Sequence, residues 1–163
     1  MKRRDIVVAA VILAVAAFVV FRVTRDEPDL TLGPTSSPSL EEDIEGIFNT
    51  DIPDGAQKAE LVATGDIEGS AIATLEEDKG RNLVTILADL PDPESGTYQA
   101  WLVKGERDGF SDTIPLGSMR PAKGGWILDP TPVGEVEGFD KVIVSLERDI
   151  DSSLETVVLE GSF

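Results

Sequence analysis

The chain has 163 residues, of which 41% are hydrophobic, enough to build one ordinary domain with a core and to exclude wholesale disorder. It contains neither cysteine nor histidine, which excludes disulfides, thiolate and the usual zinc sites, cysteine nucleophiles, Ser-His-Asp triads and histidine proton relays. Its net charge of −17 is unevenly spread: residues 1–5 carry a net +2, while the remainder has 11 basic against 30 acidic residues, a surface that repels nucleic acid.

After "MKRRD" comes "IVVAAVILAVAAFVVF", Ile6–Phe21, sixteen residues without a charge or a turn former. As a helix it spans about 24 Å, short of a hydrocarbon core of about 30 Å. Val23 and Thr24 extend it, and Arg4 and Arg22 can snorkel to the headgroups. We therefore expect a single-pass transmembrane helix over residues 6–24, with the lipid bilayer as its partner through Ile6–Phe21. Lys2, Arg3 and Arg4 on one side and an acidic stretch on the other predict a cytoplasmic tail of residues 1–5 and an extracytoplasmic remainder. The rival is a cleaved signal peptide, for which Ala14–Ala17 supplies small residues; no small, polar cleavage region follows the apolar run.

Residues 25–57 read as an acidic linker. From Asp26 to Gln57 there are nine carboxylates, four prolines and no Lys or Arg, a composition that favours an extended, solvated tether. Inside it, "PSLEEDIEGIF" has two readings. One is a short helix capped by Ser39, with Glu41, Glu42 and Asp43 in its first turn and Leu40, Ile44 and Phe48 on one face. The other is more charged linker.

From Lys58 short apolar runs recur every 8–15 residues, punctuated by Gly, Pro and Asp. They are "AELVATG", "EGSAIATLEE", "RNLVTILADL", "TYQAWLVKG", "TIPLGSMRP", "GWILD", "DKVIVSLER" and "LETVVLEGSF". Without helical patterns between them, they predict an all-β fold over residues 58–163: an antiparallel, Ig-like β-sandwich of about seven or eight strands. Asp78-Lys79-Gly80 marks a hairpin tip. Alternation puts Val84, Ile86, Ala88 and Leu90 on one face of their strand, with Leu83, Thr85 and Leu87 on the other. Likewise Val142, Val144 and Leu146 oppose Ile143, Ser145 and Glu147. Tyr98 and Trp101, three apart, point to opposite faces, which disfavours a stacking platform; Trp101 is expected in the core, with Tyr98 at an edge. Trp126, after "KGG", is the better candidate for exposure, though a core position is still expected for it.

In order, "YQAWLV", "PLGSM", "GWIL", "VIVSLE" and the closing "VVLEGSF" resemble the extracytoplasmic C-terminal domain of anti-sigma-K factors, over roughly Leu61–Phe163. The family usually follows its Leu-Glu with Pro and a Gly-rich turn, whereas this chain has "RDIDSSLET". The resemblance implies a non-catalytic binding or sensory domain in envelope signalling or sigma factor regulation, with an envelope or membrane regulatory protein as partner. About five residues precede the apolar run, without the length, His or Cys of a cytoplasmic zinc-binding domain, so direct sequestration of a sigma factor is not expected. The alternative is a structural or adhesive envelope protein; an exported carboxylate-based hydrolase ranks below both.

Carboxylate pairs, Glu41/Glu42, Glu76/Glu77 and Asp149/Asp151, arise from composition alone in a chain with 31 acidic residues. Asp149, Asp151, Ser153, Glu155 and Glu160 match positions of a calcium loop, but Leu154 occupies the place that needs Gly. "GDIEGSA" lacks the Lys and helix of a phosphate loop. We assign no catalytic, cofactor-binding or metal-ligating residue, and no cofactor.

Overall fold

A computed structural model describes residues 38–105, 109–151 and 153–163. The expected tail, the anchor over 6–24 and the linker up to residue 37 lie outside the described residues. Among those described, no helix is long and apolar enough to cross a membrane. The compact unit runs Pro38–Phe163.

It begins with helix α1, Leu40–Phe48, within the stretch that composition marks as linker. The helix forms because its first turn satisfies its own donors. Ser39 accepts from the Glu42 N–H while the Glu42 side chain accepts from the Ser39 N–H, a reciprocal capping box. Glu41, Glu42 and Asp43 sit where the helix dipole favours negative charge. Asn49, in the left-handed conformation, ends it.

Nine strands follow: β1 Gln57–Ala63, β2 Ser70–Asp78, β3 Arg81–Asp89, β4 Thr97–Lys104, β5 Asp112–Ser118, β6 Arg120–Ala122, β7 Gly125–Val133, β8 Lys141–Glu147 and β9 Thr156–Ser162. All pairings are antiparallel, in the order β5-β4-β8-β9-β1-β2-β3-β7-β6. The all-β expectation therefore holds, but a two-sheet sandwich of seven or eight strands is replaced by one nearly closed sheet of nine. The ninth strand arises because "TIPLGSMRP" breaks at Met119 into β5 and β6. These two strands lie at opposite ends of the order yet are joined by that single residue. One residue spans under 4 Å per peptide step, so the two edges must lie side by side. The Met119 N–H donates to the Tyr98 carbonyl at 2.8 Å, pinning the crossing to β4.

Curling gives the sheet an inside and two covered patches outside. Inward residues of eight strands form one core, among them Leu61, Ala73, Val84, Ile86, Leu102, Leu128, Val142 and Leu159. The alternation read in β3 and β8 is the one observed. Tyr98, expected at an edge, is instead fully buried in this core, because closure brings β7 across from β4. Its ring meets Trp126 edge to face, centroids 5.2 Å apart. Trp101 is equally buried, but outside the sheet, with Val103 and Ile143 under Phe110 and Leu154. The predicted hairpin tip is a two-residue turn in which Lys79 and Gly80 both have positive φ, as a type I′ turn requires. Prolines on the edge strands, Pro115 in β5 and Pro121 in β6, remove donors that another chain could pair with.

Candidate functional site

The second outer patch belongs to β2, β3 and β7. Antiparallel register aligns Ile72, Leu87 and Ile127 in a row across the three strands. Helix α1 lays Leu40, Ile44 and Phe48 over this row, joined by Ile52 from the segment after the helix. That segment turns back because Glu45 accepts the Ile52 N–H at 2.6 Å. At the other end Glu41 pairs with Lys58 on β1, and its carboxylate raises the ammonium pKa above its usual range. The helix comes close because Gly125 leaves room: a Cβ there would stand 2.3 Å from the Ala88 carbonyl and 3.0 Å from the Phe48 ring.

The helix is too short to cover the next row. Thr74 and Thr85, paired across β2 and β3, lie beyond it at the point where a bulge shifts the β3–β7 register. The result is a slot of about 440 Å³, walled by Phe48, Ile52, Pro53, Leu87 and Ile127 and floored by the two threonines. Its volume lies in the range of ligand-binding clefts. Asp51, Glu76 and Lys123 supply its charge. Thr50 and Asp51 also belong to a shallow surface beside it, with Glu42, Glu45 and Asn49. Sequence reasoning marked Glu76 only as one of a pair and missed the slot. A signal was present on the face of β2 that carries Ile72, where the next two positions are Thr74 and Glu76.

A buried polar cluster lies beside Trp101. The indole N–H donates to Ser145 Oγ at 2.7 Å, and Ser145 Oγ donates to the Gln99 carbonyl at 3.3 Å. Glu147, 1% exposed, accepts the Glu155 N–H at 3.2 Å through Oε1. Its Oε2 and the Oε1 of Gln99 have no hydrogen-bond partner among the described residues. This cluster lies under the loop after β8 and opens onto none of the cavities described.

The residues matching a calcium loop are engaged otherwise. Glu155 has its pKa lowered, first by the backbone N–H groups of Arg148 and Asp149 and then by the Arg148 side chain. Asp151 accepts the Ser153 N–H, and Glu160 stands on β9 beside Lys141, 3.6 Å away. Among the described residues, no three or more acidic side chains gather as a metal site would require. Of the carboxylate pairs, Glu41 is bound to Lys58 and Glu42 to the helix cap. Asp129 has its pKa lowered by the hydrogen bonds it accepts from Arg120, both at 2.6 Å.

These features define an acidic, nearly closed antiparallel β domain with the helix α1 packed on it and a ligand-sized slot on its outer face. The family model described as anti-sigma-K factor rskA, C-terminal, matches residues 6–156, and the chain belongs to that family. No curated protein and no solved structure matches the chain.

Proposed function

We propose that this chain is a membrane-anchored, extracytoplasmic binding or sensory domain acting in envelope signalling, without chemistry of its own. The observation that carries this reading is the span of the family match. It begins at residue 6, the first residue of the apolar run, and continues through β8 to Thr156, so the apolar segment and the β domain as far as the start of β9 fall within one match. The charge asymmetry supports the orientation, basic before the run and acidic after it. The slot supports binding over a purely structural role, since a spacer needs no ligand-sized cleft.

The test is proximity labelling in the native cell, with a labelling enzyme fused after Phe163. Labelled extracytoplasmic faces of membrane proteins, including a membrane-bound sigma regulator, are the expected catch. Labelling of cytoplasmic proteins would reverse the proposed orientation. Recovery of cell-wall material alone would favour the structural or adhesive reading instead.

A further inference from the structure

We infer that the slot between α1 and the sheet is a docking site for an extended peptide segment of a partner protein, one that carries a large apolar side chain beside basic residues. This rests on the binding reading above and names the chemistry of the partner.

The slot's size sets the first half of the inference. About 440 Å³ holds one or two large side chains, and the walls that would receive them, Phe48, Ile52, Leu87 and Ile127, are apolar. Burying such an anchor is the ordinary source of affinity at a small interface. The floor has a different character. Thr74 and Thr85 place two hydroxyls side by side under the slot, able to donate to or accept from a peptide backbone lying over the strands.

Charge sets the second half. Asp51 and Glu76 line the slot against one cation, Lys123, and Glu42 and Glu45 stand on the surface that shares Thr50 and Asp51 with it. Glu42 and Glu45 each accept a backbone N–H, which fixes their positions without neutralising them. An anchor entering beside Asp51 is therefore followed by a field that favours Lys or Arg and repels Asp or Glu. A free fatty acid or other anionic amphiphile suits the walls but meets the wrong sign of charge.

The experiment uses the full-length chain in mild detergent and fluorescent nine-residue peptides with a central Leu or Phe, flanked by Lys, by Ser or by Glu. Polarisation should rank them Lys above Ser above Glu, with the Lys peptide weakened about tenfold between low and physiological salt. Glu76→Lys, a charge reversal in the slot's lining, should weaken the Lys peptide about tenfold and shrink its advantage over the Glu peptide. Thr85→Phe should abolish binding by filling the slot, and unchanged circular dichroism would separate that loss from misfolding. Equal binding of Lys and Glu peptides, or binding unmoved by both variants, would overturn the inference. So would saturation by an anionic apolar dye that no peptide displaces. Failure here with extracytoplasmic labelling intact leaves the proposed function standing. Cytoplasmic labelling with peptide binding intact does the reverse.

Discussion

Tyr98 concentrates several forces on one side chain. It is the chain's only tyrosine and is fully buried in the core. Its hydroxyl donates to the Pro91 carbonyl at 3.0 Å, and its ring packs edge to face on Trp126. Burial, reinforced by nearby Asp92, raises its pKa above the usual tyrosine value. The folded state thus holds the proton more tightly than the unfolded chain. The associated stability is complete below about pH 10 and is lost as pH rises through the folded pKa. Phenolate absorbance at 295 nm should therefore appear together with loss of circular dichroism in an alkaline titration. Phenolate forming near pH 10 in a still-folded protein would contradict the burial described. The Tyr98–Trp101 spacing was legible as opposite faces of one strand. Which face was the deeper was not, because apolar residues continue both faces, Ala100 and Leu102 beyond Tyr98 and Val103 beyond Trp101, and the deciding contact, Trp126, is 28 positions away.

At the scale of elements, α1 shows local chemistry and tertiary packing agreeing. Its cap, its acidic first turn and its apolar stripe are all in the sequence, which still left a charged linker as a rival. Nine residues form too short a helix to persist alone in water. What decides between the readings is the row Ile72, Leu87 and Ile127, an apolar surface that the helix covers. Ser39→Ala removes the acceptor of the capping box and should cost about 1 kcal/mol in urea unfolding. Because α1 forms one wall of the slot, the same variant should also increase hydrogen exchange across residues 40–48 ahead of the strands. The strand count illustrates the opposite case. "TIPLGSMRP" is continuous as a pattern, and only the geometry at Met119 divides it.

The whole molecule depends on closure. Met119 is 3% exposed and carries the chain from one end of the strand order to the other. Met119→Ala should cost about 2–5 kcal/mol in chemical denaturation, since the cavity opens where the sheet joins its ends. Val62→Ala, on a side chain 60% exposed, should change stability by less than about 0.5 kcal/mol. A Met119 cost no larger than that of Val62 would mean that the edges hold together without it.

The sequence by itself determined the class of secondary structure, the hairpin tip, the inward and outward faces of β3 and β8, and the family; for the helix it supplied the cap but left the linker as a rival. The structural features follow from periods and short motifs within ten or so residues, and the family from the order of such motifs along the chain. Only the tertiary structure decided that the strands make one nearly closed sheet, that Tyr98 meets Trp126, that Glu147 is buried, and that a slot remains beside α1. Those features depend on β4 pairing with β8 and β9 with β1, across 38 or more positions. A period-two pattern says which face of a strand is apolar, and carries no record of which distant strand will lie beside it.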